Sequence, residues 1–213
     1  MTSYFWLLFS YLFASIPNGY LIVKWLSGKD IRKIGKKKLS GSNIIQNVGF
    51  LPGLLSAVID ASKGFIAVYF AHSFGFSPKI QALSVAFAIC GQMWPIFLKF
   101  WGGRGGAVTI GALLAFSSFS NFFIFLIPLS FWIFCKIISK EKGAAIGMML
   151  YYVFAGIMGV FFEKEAVMFF SLFAFLLILI QRVLGEPKSF KKIKNNKEII
   201  IRRIFLDRDT EEV

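Results

Sequence analysis

One histidine, two cysteines and eleven acidic residues are few for a chain of 213 residues, and each scarcity excludes a kind of chemistry. His72 alone cannot supply a histidine-ligated metal centre. Cys90 and Cys135 both lie inside apolar stretches, where a cysteine is typically a small packing residue rather than half of a disulfide. The sequence therefore predicts no bound metal and no nucleophile–base pair built on these residues.

Apolar residues, in contrast, are abundant. They make up 57% of the chain, whereas a soluble domain is usually about 45–50% apolar. They form separate runs near the ~20-residue length that spans a bilayer. The seven runs are 3–23, 50–71, 80–98, 106–119, 120–138, 144–162 and 165–181. This pattern predicts an all-α polytopic membrane protein with seven transmembrane helices.

Two of these runs have an alternative interpretation. Run 3–23 stands where a signal peptide would stand, but it has no basic segment before it and no small-residue cleavage site after it. We interpret it as a retained span. Joining runs 106–119 and 120–138 would give one stretch of more than 30 residues, which is too long for a single helix at ordinary tilt. Seven spans are therefore expected rather than six.

The basic residues are distributed very unevenly between the segments that connect these runs. With the N-terminus outside, 21 of the 24 Lys and Arg residues fall in inside segments, and only Lys79 and Lys164 fall outside. The inside segments are 24–38, 99–104, 136–142 and 182–208. Lysine and arginine concentrate in short cytoplasmic loops. The distribution therefore predicts an outside N-terminus and a cytoplasmic C-terminus.

The net charge of +13 has the same explanation, so it does not indicate a nucleic-acid ligand. We expect a multi-pass protein of the cell inner (plasma) membrane whose functional face is cytoplasmic. Residues 1–183 form the predicted seven-span membrane domain with a site at that face. Residues 184–213 are too polar to enter the bilayer, and they are expected to form a basic cytoplasmic tail.

Three polar stretches are candidates for function. The first is the loop 27–49, SGKDIRKIGKKKLSGSNIIQNVG. Its Lys36–Lys38 run is typical of an ordinary positive-inside loop. The Ser-Gly-Ser-Asn segment at 40–43 is more specific, because small polar residues and glycine before a predicted helix can turn backbone N–H groups toward an anion.

The second stretch is DASKGF, 60–65, inside or beside an apolar run. Asp60 and Lys63 are three residues apart, so they share one face of a helix and can simply neutralise each other. Charged groups at membrane depth are costly, however, and usually line a polar cavity. A site-supporting role is therefore the favoured interpretation, with a purely structural pair as the alternative.

The third stretch is GQMWPIFLKFWGGRGGAVTIG, 91–111. Pro95 can bend the preceding span, and the glycines allow backbone N–H groups to approach a ligand closely. Arg104 offers a planar donor pair suited to phosphate, and a helix beginning near Gly106 points its N-terminus to the same place. The alternative is a flexible positive-inside turn, and the spacing of a Walker loop is absent. Together, the three stretches indicate a membrane protein that handles a phosphate-bearing anion at its inner face.

These stretches also resemble a known family, the bacterial acyl-phosphate:glycerol-3-phosphate acyltransferases, PlsY. SIPNGYLIVKWLSGKDIRKIG (15–35) is similar to the first span and loop of that family. DASKGF and the third stretch resemble its D-x-x-K-G and G-H-x-x-P-x-F…G-G-K-G-x-A-T segments. The resemblance implies seven spans, an outside N-terminus and transfer of a fatty acyl group from acyl phosphate to glycerol 3-phosphate, giving lysophosphatidic acid. It implies no metal or nucleotide cofactor.

The resemblance also implies roles for individual residues. Arg104 occupies the position of the family's glycine-loop lysine, Asn43 and Lys63 match family residues, and Ser42 replaces a threonine. The implied substrate phosphate-binding set is Arg104, Gly103, Gly105, Ser42, Asn43 and Lys63. It assigns no catalytic residue.

Other positions depart from the family pattern. Lys36 stands for a serine, Gln46 for an arginine and Gln92 for the histidine before the proline. The R-Y-x-S segment is replaced by KIISKEKG, and the R-H-x-x-N-I segment by RVLGEP, which keeps only its arginine. The residues expected to compensate for these losses or to support the site are Lys36, Ser40, Asp60, Gln92 and Arg182.

Three functions follow from these features. The leading hypothesis is a divergent acyltransferase of phospholipid synthesis. The second is a catalytically degenerate relative that binds acyl phosphate or phospholipid and acts as a regulatory or partner subunit. The third is a small transporter for a phosphorylated solute, which would require broken spans in two related halves. No such internal repeat is found.

Overall fold

The computed structural model describes residues 2–35, 37–118 and 121–184. Within these ranges the regular structure is helical, with no strand. The described part of the chain has eight α-helices: α1 (Ser3–Ala14), α2 (Asn18–Ser27), α3 (Gly41–Asn47), α4 (Phe50–Ser73), α5 (Pro78–Met93), α6 (Gly106–Ser118), α7 (Phe123–Phe161) and α8 (Glu165–Leu184). The predicted roles of Lys36 and nearly all of the predicted tail lie outside the described residues.

Four helical stretches in the described residues are long and apolar enough to cross a membrane, which agrees with the predicted all-α membrane class. They are Ser3–Ser27, Phe50–Ser73, Pro78–Leu98 and Glu165–Val183. Three shorter apolar helical segments coincide with the remaining predicted runs: α6 (Gly106–Ser118) and two parts of α7, Phe123–Cys135 and Ile146–Phe161.

The first stretch is not a continuous helix. α1 ends at Ala14 and α2 begins at Asn18, with Ser15–Pro17 between them. Pro17 has no N–H to continue the α1 hydrogen bonds, and it disfavours helical backbone at the residue before it. The break therefore lies where the sequence places its proline.

α7 differs from the sequence-based expectation. The segment 136–142, predicted as an inside loop, is helical, and α7 runs for 39 residues without interruption. Lysine and glutamate in this segment favour helix, and no proline stands between the two apolar halves. At 1.5 Å per residue the helix is about 58 Å long, roughly twice the thickness of the hydrocarbon core.

The helices form two compact units, the first ending at Phe116 and the second beginning at Ser117. In the first unit, α1 packs along α5 and α4, and the short helices α2 and α3 pack on α4. The Trp6 Nε1 donates to the Ala67 carbonyl at 3.1 Å, which joins α1 to α4. Gly91 allows α5 to approach α1 closely, because a Cβ there would overlap the Tyr11 carbonyl.

In the second unit, α8 runs back along the C-terminal half of α7. Tyr152 and Phe170 are both buried, and their rings meet edge to face at 6.4 Å. Gly156 faces the Ser171 hydroxyl, which would have to move to admit a larger residue. Arg182 lies in the last turn of α8 and is buried within this unit.

Candidate functional site

A buried polar network joins α4 to the end of α5. The Lys63 Nζ lies 2.9 Å from Asp60 Oδ1 and 3.1 Å from Gln92 Oε1. The Gln92 Nε2 donates to Asp60 Oδ2 at 2.9 Å, which closes the triangle. The side chain of Asn18, at the start of α2, lies close to the same carboxylate. The structure therefore brings together three of the residues that the sequence singled out.

The break between α1 and α2 completes this network. The Lys63 Nζ donates to the Ala14 carbonyl at 3.2 Å and to the Ile16 carbonyl at 2.6 Å. The last carbonyls of a helix have no partner within the helix, and they carry the negative end of its dipole. Lys63 is only 2% exposed, and an ammonium group has three protons to donate. Protein acceptors are therefore sufficient to use the full donor capacity of Lys63.

Asn43 organises the first polar loop from the inside. It is fully buried, and its Nδ2 donates to the Lys38 carbonyl at 2.9 Å and to the Ile34 carbonyl at 3.2 Å. Its Oδ1 accepts from Asn47 at 3.0 Å. The amide thus fastens the segment before α3 to α3 itself, with contacts to protein groups on both sides.

The two serines of the same segment lie nearer the surface. The Ser40 hydroxyl accepts from the Asn43 N–H at 3.3 Å, and so caps the N-terminus of α3. The hydroxyl of Ser42, which is exposed, lies 3.3 Å from that of Ser40. Of the predicted Ser-Gly-Ser-Asn motif, the structure places the hydroxyl groups outward and the amide inward.

Arg32 is a part of this region that was not assigned a role from the sequence. Its Nη2 forms an ion pair with Asp30 Oδ2 at 2.8 Å. Its guanidinium lies 4.9 Å from the centre of the Tyr20 ring and 5.8 Å from that of Trp101. The hydrogen bonds from Arg32 hold the pKa of the Asp30 carboxyl below its ordinary value. The only sequence signal was its place in the segment that resembles the family's first loop.

The glycine loop 99–105 is held tightly against the end of α5. The Gly103 N–H donates to the Gln92 carbonyl at 2.9 Å. A Cβ at Gly102 would overlap that same carbonyl and the ring of Pro95. Gly105 has a φ of +72°, in the left-handed region that favours glycine. The glycines are thus required by close packing at Gly102 and by the left-handed backbone at Gly105. These requirements differ from those of a flexible turn.

The two polar loops meet each other. A Cβ on Gly103 would lie 2.6 Å from the Leu39 carbonyl oxygen, so the backbones are in direct contact. Beneath this contact is a small apolar cluster formed by Val23, Ile31, Leu39, Ile44 and Leu98. Arg104 follows Gly103 in the chain and Ser40 follows Leu39. The fold therefore brings Arg104 and the serine segment to one end of the first unit.

Two of the predicted site residues, Arg182 and Lys36, stay predictions. Arg182 belongs to the second unit, and Lys36 lies outside the described residues. In residues 2–35, 37–118 and 121–184, no group of three or more His, Cys, Asp or Glu side chains is placed to hold a metal ion. Arg104, the serine segment and the glycine loop, which lie at one end of the first unit, therefore remain the candidate ligand-binding groups.

Comparison with known proteins gives a consistent result. The family model described as glycerol-3-phosphate acyltransferase matches residues 4–185. Glycerol-3-phosphate acyltransferase 2 of Moorella thermoacetica is 41% identical over 133 residues, which is 62% of this chain and 68% of that protein. Glycerol-3-phosphate acyltransferase 4 of Dehalococcoides mccartyi is 31% identical over 93% of this chain and 86% of its own. A relative from Parasynechococcus marenigrum is 33% identical, with coverages of 90% and 92%.

The fold also matches solved structures. The crystal structure of PlsY (YgiH), an integral membrane glycerol 3-phosphate acyltransferase, in its glycerol 3-phosphate form has a TM-score of 0.73 with 24% identity. The match covers 91% of this chain and 99% of the PlsY chain. These matches confirm the resemblance that the three polar stretches indicated. The chain belongs to the glycerol-3-phosphate acyltransferase family.

Proposed function

We propose that this membrane-embedded acyltransferase moves a fatty acyl group from acyl phosphate to glycerol 3-phosphate. The acceptor hydroxyl forms a new C–O bond with the acyl carbon, the bond from that carbon to the phosphate oxygen breaks, and the hydroxyl proton leaves with the phosphate. The products are lysophosphatidic acid, a precursor in phospholipid biosynthesis, and inorganic phosphate. The PlsY structures in the glycerol 3-phosphate and lysophosphatidic acid forms support this assignment.

The observation that carries the proposal is the fixed glycine loop beside the serine segment. Both substrates carry phosphate, and Arg104 presents a fork of donors that matches phosphate oxygens. Its neighbours Gly103 and Gly105 are held by the end of α5. We assign Arg104 and the glycine backbone to phosphate binding, with the hydroxyls of Ser42 and Ser40 beside them.

The other proposed site residues have different positions. Asn43 shapes the serine segment, and Lys63 with Asp60 holds the helix break. Their contacts support a role in placing the site, while the direct phosphate contact that the resemblance implies for both stays a prediction. Lys36 and Arg182 are proposed as further cations of the site on the basis of sequence alone.

The main contribution that this reaction requires from the protein is to position the two substrates. Acyl phosphate is an activated mixed anhydride, so bringing the acceptor hydroxyl to the acyl carbon and stabilising developing negative charge can supply much of the rate. The acyl tail is apolar, and helices embedded in the bilayer offer it a hydrocarbon environment. No metal or nucleotide is required for these steps.

We also propose the orientation that the basic residues predict: seven crossings of the bacterial plasma membrane, an outside N-terminus and a cytoplasmic site and tail. The support is the 21-to-2 distribution of Lys and Arg. Seven crossings require a turn in the predicted inside loop 136–142, where the structure instead has the continuous helix α7, so the side on which position 164 lies decides between the two. Single cysteines placed at residues 79, 99 and 164, in a variant without Cys90 and Cys135, test the orientation. A membrane-impermeant maleimide added to intact cells is expected to label positions 79 and 164 only. Labelling at position 99 would indicate the opposite orientation.

The alternative of a non-catalytic binding relative gains no support from the comparisons, which match proteins named as acyltransferases. Purified protein in lipid nanodiscs, given acyl phosphate and glycerol 3-phosphate, is expected to release lysophosphatidic acid and phosphate in equal amounts. Arg104→Ala is expected to lower this rate by about tenfold or more, whereas the exposed Lys99→Gln on the same loop should not. Binding of acyl phosphate without turnover, across acyl lengths and acceptors, would favour the alternative.

A further inference from the structure

Gln92 lies where the buried charge network meets the glycine loop. Its side-chain amide donates to Asp60 at 2.9 Å and accepts from Lys63 at 3.1 Å. Its backbone carbonyl accepts from the Gly103 N–H at 2.9 Å. One residue, 7% exposed, therefore bonds on one side to the α4 charge pair and on the other to the loop that carries Arg104.

The position of Gln92 in its helix makes this connection effective. α5 ends at Met93, so the Gln92 carbonyl is among the last four of the helix and lacks an intrahelical partner. The terminal turn of a helix frays unless other contacts hold it. Here the Gln92 side chain fixes that turn to α4, and the carbonyl of the same residue then has a fixed direction in which to accept from Gly103.

The last turn of α5 packs directly against the loop 99–105, so a displacement of the turn also displaces the loop. A Cβ on Gly102 would lie within 2.6 Å of the Met93 carbonyl oxygen, and it would also overlap the Gln92 carbonyl. No space separates the loop from the helix end, and close-packed interiors transmit displacement. A change in the Gln92 side chain is therefore expected to move the backbone immediately before Arg104.

We infer that Gln92 is a positioning residue for the phosphate clamp: it couples the Asp60–Lys63 pair to Gly103, and so sets the place of Arg104. This inference rests on the proposed function for the meaning of the clamp, but the coupling itself is a property of the fold. Gln92 acts through the loop and touches no reacting atom. A residue that merely filled a buried polar site would affect stability and leave the loop unchanged.

Hydrogen exchange tests the coupling without any need for activity. The full-length protein in lipid nanodiscs is compared with Gln92→Leu, which has a similar volume and no hydrogen bonds. Amide exchange in 99–105 is expected to accelerate by about tenfold or more, because the partner of the Gly103 N–H is displaced. Ser84→Ala is the matched control. Ser84 is a buried polar residue of α5 that bonds only within its own helix among the contacts described, to the Ile80 carbonyl.

The conservative variant Gln92→His sharpens the test. A neutral imidazole has one donor and one acceptor, the two functions that the Gln92 amide uses here, and so can serve both Asp60 and Lys63. It is expected to restore slow exchange in 99–105. Unchanged exchange in Gln92→Leu would overturn the inference, and so would accelerated exchange that Gln92→His does not reverse. If Gln92→Leu fails to fold, Gln92→Asn, whose amide is one methylene shorter, takes its place under the same criteria.

Kinetics then tests the link to Arg104. Gln92→Leu is expected to raise the KM for a phosphate-bearing substrate about tenfold with a smaller change in kcat, since it misplaces a binding group. In an Arg104→Ala background the same change should have almost no further effect, because the clamp is already gone. Additive effects of the two substitutions would overturn the link. Absence of lysophosphatidic acid from the unmodified protein would instead refute the proposed function, and the exchange result would still decide the coupling.

Discussion

The Lys63 ammonium lies 2.6 Å from the Ile16 carbonyl oxygen, 47 residues away in the chain. This contact places a cation at the helix break that Pro17 creates, where backbone carbonyls lack helical partners. The same ammonium pairs with Asp60 at 2.9 Å. The buried charges thus stabilise an irregular stretch of backbone between two helices.

Removing Lys63 should therefore cost much more than removing an exposed lysine. We expect Lys63→Met to lower the free energy of unfolding by about 3–5 kcal/mol, because it leaves a buried carboxylate without its counter-ion. Chemical unfolding of the detergent-solubilised protein measures this value, with the exposed Lys33→Met as control. The double variant Asp60→Leu/Lys63→Met should recover part of the loss. A single variant as stable as the control would show that the pair does not hold the break.

The packing of Gly103 against Leu39 predicts an effect on activity rather than on folding alone. In Gly103→Ala the added methyl lies 2.6 Å from a backbone oxygen, so the two polar loops must separate. We expect the rate of lysophosphatidic acid formation to fall about tenfold or more. Gly75→Ala is the control: it has open space but a φ of +70°, so it should reduce stability and leave the rate unchanged. Equal rates in both variants would contradict the packed-loop arrangement.

Asn43 should be needed as a donor, not only as a buried polar group. Asn43→Asp keeps the size and the acceptor but loses the Nδ2 donor to the Lys38 and Ile34 carbonyls. Each of these carbonyls keeps one local backbone hydrogen bond, so each lost Asn43 hydrogen bond costs about 0.5–1.5 kcal/mol. We expect limited proteolysis to cut the 31–40 segment faster in this variant, with Ser42→Ala, an exposed position in the same turn, cut at the normal rate. Equally slow cleavage of Asn43→Asp and Ser42→Ala would show that the Asn43 amide does not hold this segment in place.

The Asp30–Arg32 pair predicts a pH dependence confined to acid conditions. Arg32 holds the pKa of Asp30 below its ordinary value of 3.8, so the stabilisation is fully present above that value and is lost as the pH falls through the lower folded value. Fluorescence of Trp101, near the guanidinium, should stay constant from neutral pH to about pH 5 and change only below 3.8. For this measurement the other tryptophans are replaced. The variant Asp30→Asn should lack that acid transition, and a transition near pH 6 would point to another group.

Much of the site was visible in the sequence because its motifs are local. The three polar stretches, the pairing of Asp60 with Lys63 and the start of α6 at Gly106 follow from spacing that a helix or a loop imposes on neighbouring residues. The continuous helix through 136–142 was not predicted, because polarity indicated a loop while the helix propensity of the same residues favoured α-helix. The polarity of a segment indicates whether it prefers water or lipid. It does not indicate whether the backbone of that segment forms a turn or continues a helix.

The sequence by itself determined the membrane class, the family and the residues that carry charge near the site, since these depend on hydropathy and on short motifs. Only the tertiary structure decided what those residues contact. Lys63 bonds to carbonyls of a broken helix, Asn43 turns inward to hold a loop, and Gln92 joins the charge pair to Gly103. Such contacts connect positions dozens of residues apart, and they depend on how helices pack. No local pattern in the chain encodes that packing.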